Sequence, residues 1–181
     1  PLVAAKMPLR RFKHLLDLGG GPGVYAISLC EANPNLRATV FDLPDPLKIA
    51  REEIAAAGLR NRMKVKAGDF LKDSLGSGYD VVLISSIVHA LGEKEILFLL
   101  KKVRRAIEPN GLVVVKDFFL NPDFCTPAPA AHFAINMLVN TERGRCYSFG
   151  EMTRYLKETG FAKIRRIRIT DRDTLILGRA D

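Results

Sequence analysis

The segment Leu15–Gly23 reads Leu-Leu-Asp-Leu-Gly-Gly-Gly-Pro-Gly and sets glycines at alternate positions, Gly19, Gly21 and Gly23. It follows an apolar run of strand length and opens a helical pattern, the place where an open α/β sheet binds nucleotides. Glycines there let the backbone turn tightly and approach a ligand that a side chain would block. A dinucleotide fingerprint would put its third glycine at position 24, which is Val24, so the spacing leans away from a pyrophosphate ligand. Gly20 completes the loop, and Asp17 ahead of it offers a carboxylate to a ligand's ammonium group. About twenty residues on, Asp42 ends a second apolar run, where a carboxylate can accept hydrogen bonds from both hydroxyls of a ribose. Leu43 follows and can pack on a base. Gly68-Asp69-Phe70 then supplies an acceptor for an adenine amine, Asp69, and an aromatic wall, Phe70. A loop without pyrophosphate spacing, a ribose carboxylate and an adenine acceptor, in that order, point to S-adenosylmethionine (SAM).

Transfer of its methyl group to an alcohol or phenol is helped by a base that works near neutrality. Imidazole suits that task best. The chain has three histidines. His14 starts the first strand pattern, remote from the strand ends that carry ligands, and His132 falls in the variable loop-helix region. His89 follows the fourth strand pattern at its carboxyl end and is the candidate base.

Strands and helices alternate around these residues. Residues 14–18, 38–42, 63–67, 79–85 and 112–118 read as buried strands. Helical patterns cover 24–32, ended by Asn33-Pro34, then a stretch capped by Asp45 with Pro46 at its first position and closed by Gly58, then 95–107. That order implies a parallel sheet with right-handed crossovers. Residues 121–131 hold three prolines and read as a loop, followed by a helix over 131–139. Ser148 and Glu151 have capping-box spacing and open a helix that Gly160 closes. Strand patterns at 162–170 and 174–178, joined by Asp171-Arg172-Asp173, allow only an antiparallel pair. The expected fold is α/β and Rossmann-like, a mostly parallel seven-stranded sheet ending in an antiparallel hairpin, and 1–181 reads as a single SAM-binding domain.

Bulk properties narrow the function class. The net charge is +8 over 181 residues, with basic clusters at 101–105 and 163–168. The first lies in the last turns of a helix, where cations complement the dipole. The second alternates with isoleucines, as one solvated face of a strand does. No apolar run nears the roughly 20 residues of a bilayer span, and no signal peptide is evident, so a cytoplasmic protein is expected. A start at Pro1 reads as a processed or excised piece. Cys30, Cys125 and Cys146 form neither a disulfide framework nor a CxxC metal site, and no metal is expected.

The motifs LDLGGGPG, VFDLP, GDF, SSIVHALGEKE and NMLVNTERGRCYSF resemble the catalytic half of the SAM-dependent O-methyltransferases of the caffeic acid, hydroxyindole and polyketide type, from about Arg11 to Arg179. The resemblance implies SAM as methyl donor, S-adenosylhomocysteine as product and a small-molecule hydroxyl as acceptor. It matches Gly19, Gly21, Asp42, Leu43, Asp69, Phe70 and Ser85 to cofactor-contacting positions and His89 to the catalytic base. Ser85 stands where plant members often carry lysine, and Ala90 where the family often has aspartate. Partner acids of plant members align near Asp117, which keeps an acid able to orient the imidazole, and Cys146, which does not. Phe133, Asn136, Met137 and Asn140 are candidate acceptor-lining residues. Members usually carry an N-terminal winged-helix dimerisation domain, so a homodimer is expected only with that domain present.

Two other functions remain. Enzymes that methylate exocyclic or amide nitrogens commonly carry Asn/Asp-Pro-Pro-aromatic after the fourth strand. Here that place reads Ser85-Ser86-Ile87-Val88-His89, which disfavours a nucleic-acid methyltransferase. A non-catalytic SAM-binding module would keep the cofactor motifs with an eroded catalytic set.

Overall fold

Central strands of a parallel sheet are covered on both faces and so read as continuous apolar runs. Here Leu15, Leu16, Leu18, Val81 to Ile84 and Leu112 to Val115 are all buried. In a computed structural model, which describes residues 2–7, 9, 11–170 and 173–181, these runs form the middle of one sheet. Its strands are β1 (His14–Leu18), β2 (Arg37–Asp42), β3 (Met63–Ala67), β4 (Tyr79–Ser85), β5 (Ile107–Asp117), β8 (Phe161–Arg168) and β9 (Thr174–Ala180). The order across the sheet is β3-β2-β1-β4-β5-β9-β8. β9 runs antiparallel to both β5 and β8, and the other neighbours are parallel. The expected terminal hairpin is thus present, although Asp171 and Arg172 of its link, like Pro1, lie outside the described residues.

Helices α2 (Val24–Ala32) and α3 (Pro46–Ala56) cover one face, with a short α1 (Leu2–Lys6) beside α2. Helices α4 (Glu93–Ala106) and α6 (Phe149–Glu158) cover the other. Two elements were not legible beforehand, α1 and a two-residue ribbon of β6 (Phe119–Leu120) with β7 (Tyr147–Ser148). Helix α5 (Ala128–Asn140) starts three residues before the expected 131. Proline is tolerated in a first helical turn, where its missing N–H has no partner to lose, so Pro129 does not delay the start.

The helix ends follow the sequence with one correction. Ser148 Oγ accepts from the Glu151 N–H at 3.2 Å, and Glu151 Oε2 accepts from the Ser148 N–H at 2.8 Å, a complete capping box. Ser148→Ala should therefore cost about 1 kcal/mol of stability, read as a lower urea midpoint at unchanged m-value. Asp45 does not cap α3. Its backbone is itself helical, and its carboxylate takes Lys48 Nζ at 2.7 Å instead of a backbone N–H. In β8 the register shifts between Ala162 and Arg165, with Lys163 at φ +50, so the half-buried isoleucines fall at 164 and 167.

Candidate active site

The carboxyl ends of β1, β2 and β4 meet at the glycine loop. Gly19 takes φ +64, and a Cβ there would lie 2.4 Å from Ile87 Cδ1, so the loop packs directly against the segment after β4. At Gly21, with φ +53, a Cβ would meet nothing within 4 Å. The loop presents an open face there. Asp42 closes the rim, with Oδ2 accepting from the Gly21 N–H and Oδ1 from the Leu43 N–H, both at 2.7 Å. Leu43 is exposed beside it. Gly68 is forced by packing, because a Cβ would stand 2.6 Å from Phe41 Cζ. Asp69 accepts from the Leu71 N–H at 2.9 Å and pairs with exposed Lys72 at 3.1 Å. The Leu71 bond, with help from Lys72, holds its carboxyl below the usual range. Asp69 therefore shapes its own turn and keeps lone pairs for a ligand. Phe70 is half-buried against the core. Ser85 is buried at the end of β4, and its Oγ has no hydrogen-bond partner among the described residues.

Asp17 is placed differently from the other loop residues. It points to the α2 side of the sheet behind Gly20, where a Cβ would lie 2.8 Å from the carboxyl carbon. The carboxyl is fully buried, and neither oxygen makes a hydrogen bond of good geometry to the described residues. Burial pushes it up to about 7; the Ala26 N–H at the start of α2 opposes this, and Asp42 adds to it.

A second cluster forms where β4 and β5 end side by side. His89 sits in a single 3₁₀ turn, Val88–Ala90. Its Nδ1 lies 2.8 and 3.1 Å from the two carboxylate oxygens of Asp117, the last residue of β5. Asp117 is buried and also accepts from the Phe118 N–H at 2.8 Å. An ionised partner on Nδ1 assigns the ring proton there and leaves Nε2 as the basic nitrogen. Cys146 is buried nearby. Burial, reinforced by the charge of Asp117, drives its thiol up to about 12, so it stays protonated.

The Phe133 ring meets the imidazole edge-on at 4.9 Å and stacks on Phe118 at 4.3 Å. Asn136, Met137 and Asn140 follow Phe133 at helical spacing along α5. Asn136 and Asn140 are exposed and bonded to each other at 2.8 Å, while Met137 is half-buried. Of the four candidate lining residues, Phe133 is brought against His89.

Two features escaped the sequence reading. Phe118 joins the ring stack, with no local signal to mark it. Lys116, a cation in an otherwise apolar strand, did carry a signal. It is buried, pairs with Asp173 Oδ1 at 2.7 Å and lies over the Tyr25 ring at 5.5 Å.

Residues 2–162 match the family model of the O-methyltransferase domain. The chain belongs to that family. This O-methyltransferase domain is 37% identical to a 3-hydroxy-5-methyl-1-naphthoate 3-O-methyltransferase of Streptomyces sahachiroi, over 92% of the chain and 48% of that protein. Among solved structures it is similar to an O-methyltransferase family 2 protein of Planctomyces limnophilus in complex with apigenin (TM-score 0.93, 27% identity, 99% of this chain and 56% of that one). It is likewise similar to human N-acetylserotonin methyltransferase in complex with SAM (TM-score 0.89, 25% identity, 98% and 50%). The domain spans about half the length of the relatives it matches. Among the described residues no helix is long and apolar enough to cross a membrane, and no cluster of metal-ligating side chains is found.

Proposed function

We propose that this chain is the SAM-binding catalytic part of an O-methyltransferase that methylates a hydroxyl of a small aromatic or polyketide-like molecule, with His89 as general base. The observation that carries the reading is the His89–Asp117 pair at the ends of adjacent strands, one short segment from the glycine loop. The residues fit the cofactor. The loop is open at Gly21, the Asp42 carboxylate stands at its rim, and the buried Ser85 Oγ lacks a partner among the described residues. Gly19, Gly20 and Gly21 would admit the methionine end. Asp42 would accept the ribose hydroxyls, Leu43 and Phe70 would flank the adenine, and Asp69 would accept from its amine. Gly68 keeps the Phe41 ring in place beneath them. When bound, the sulfonium supplies an electrophilic methyl group.

The chain's own part is to bind, orient and take a proton. Asp117 fixes the imidazole so that Nε2 accepts the acceptor's hydroxyl proton as the oxygen becomes nucleophilic. Phe133 holds the ring from the side and offers an apolar wall to an aromatic acceptor. Asn136, Met137 and Asn140 would extend that wall. Similarity to a naphthoate methyltransferase and to a structure holding apigenin supports a phenolic acceptor.

The cofactor half is tested first by binding. Asp42→Ala removes the acceptor for two ribose hydroxyls and the brace on Gly21, so SAM affinity should fall by about 2–4 kcal/mol, roughly 30- to 1000-fold. Calorimetry giving an unchanged Kd would end the assignment of the rim. Acceptor class is tested with radiolabelled SAM and a panel of phenols and polyketides. Label confined to an amine or nucleic-acid panel would overturn the hydroxyl reading.

A further inference from the structure

A cavity lies at the opposite end of the sheet from the glycine loop. It has a volume of about 540 Å³ and is bounded by the amino ends of β1, β2, β3 and β4. That size falls within the range of roughly 300–1,000 Å³ usual for small-molecule sites. Its floor is apolar, from Leu15, Ala38 and Met63, and its walls are basic. Arg37 opens β2, Arg60 and Arg62 precede β3, and Lys64 lies within β3; among the described residues no carboxylate lines the space.

These cations are not equivalent. Nη1 of Arg62 donates to the carbonyls of Cys30, Asn33, Pro34 and Leu36, where it fastens the end of α2. Arg37, Arg60 and Lys64 have no ion-pair partner among the described residues. Lys48, Lys72, Lys116, Arg143, Arg145 and Arg154 are each matched with an acid. Two acids stand near the rim without facing inward as partners. Asp80 is turned to the N–H groups of Lys13 and His14 at 2.8 and 2.9 Å, and Glu108 approaches Gly78. Arg60 and Lys64 also border an adjoining hollow of about 330 Å³ whose far wall carries Arg51. Asn61 and Ser77 add uncharged hydrogen-bonding groups to the main cavity.

Like charges converging on one concavity repel one another, and a polyanion relieves that repulsion. Guanidinium groups match phosphate oxygens in a fork that a point charge does not. We propose that this cavity is a second binding site, for a small phosphate-bearing polyanion, separate from the cofactor site. The convergence of its cations on one concavity favours a compact ligand over a nucleic-acid strand, which would call for cations strung along a surface.

Inorganic tripolyphosphate is the probe, titrated calorimetrically at fixed ionic strength with S-adenosylhomocysteine saturating, so that the cofactor site cannot contribute. One site per chain is expected. Arg37→Gln/Arg60→Gln should weaken binding at least tenfold. Arg105→Gln/Lys157→Gln, which removes the same charge from exposed positions elsewhere, should leave it within twofold. Lys64→Gln alone, on the exposed edge strand, should weaken it about threefold and serves if the double variant fails to fold. S-adenosylhomocysteine affinity should be equal in all variants. A nucleoside triphosphate binding more tightly than tripolyphosphate would identify a nucleotide ligand, and equal binding an inorganic one. Binding without saturation, or equal weakening in both double variants, would reduce the cavity to general electrostatic attraction and overturn the proposal. So would a single-stranded RNA that binds more tightly than tripolyphosphate with affinity growing with its length.

Discussion

His89→Ala should lower kcat by about 10²- to 10⁴-fold, the usual range for a positioned acid or base, while leaving SAM affinity nearly unchanged. The split follows from geometry. The imidazole touches Asp117 and Phe133, and the glycine loop and Asp42 lie on other strand ends. Because alanine would also strand a buried carboxylate, His89→Gln is the companion variant. It keeps a donor for Asp117 but has no basic nitrogen, and its kcat should fall as far. A more acidic phenol needs less help, so the defect should shrink with it. These expectations are checked by kcat with two acceptors of different acidity and by calorimetry of SAM binding. Near-normal kcat for either variant on the weaker acid would leave His89 a packing residue.

Asp17→Asn should stabilise the protein increasingly as pH rises. The carboxyl titrates at about 7 in the fold against an ordinary value of 3.8, because burial penalises its charge. Above 3.8 the unfolded chain gives up this proton while the folded chain retains it. Stability present at low pH is therefore lost as pH climbs toward 7, and the loss is complete above it. The groups facing the carboxyl do not reverse this. Asp42 raises it further, the thiol of Cys30 is neutral with its own titration pushed to about 11, and only the Ala26 N–H favours the charge. An amide of the same shape carries no such penalty. The stability of the variant relative to wild type should therefore grow by about 4 kcal/mol from pH 4 to pH 8, an order-of-magnitude figure for a fully buried group. Urea denaturation of both proteins across that range measures it. Parallel curves would mean that Asp17 is ionised throughout and has a partner.

The fate of Asp17 shows where sequence reading stops. The order of motifs at Gly19–Gly23, Asp42 and Gly68–Asp69 was legible because each sits at the end of a strand whose apolar run is local. Which way a side chain leaves that strand end is a matter of alternation. Asp17 shares the face of Leu15, which packs toward α2, and so turns away from the loop's open side. The His89–Asp117 contact was reachable through resemblance alone, since 28 residues separate the two and only the β4–β5 pairing joins them. Phe118, Phe133 and Cys146 come from three segments, and no window of sequence contains their meeting. The basic cavity was hidden for the same reason. Arg37, Arg60 and Lys64 each look like ordinary solvated cations until the amino ends of two strands bring them together.

The stretch after α5 is tied to the turn that carries His89. Arg145 N–H donates to the His89 carbonyl at 2.9 Å, Tyr147 Oη donates to the Leu91 carbonyl at 2.6 Å, and a Cβ on Gly144 would lie 2.5 Å from the His89 oxygen. For anyone building chimaeras, this sets the splice points. Exchanging α5 for that of a relative in order to accept a different phenol transplants only half of a joint. The incoming piece must run through residue 148 and bring its own small residue at 144, or the graft will tilt the imidazole it was meant to serve.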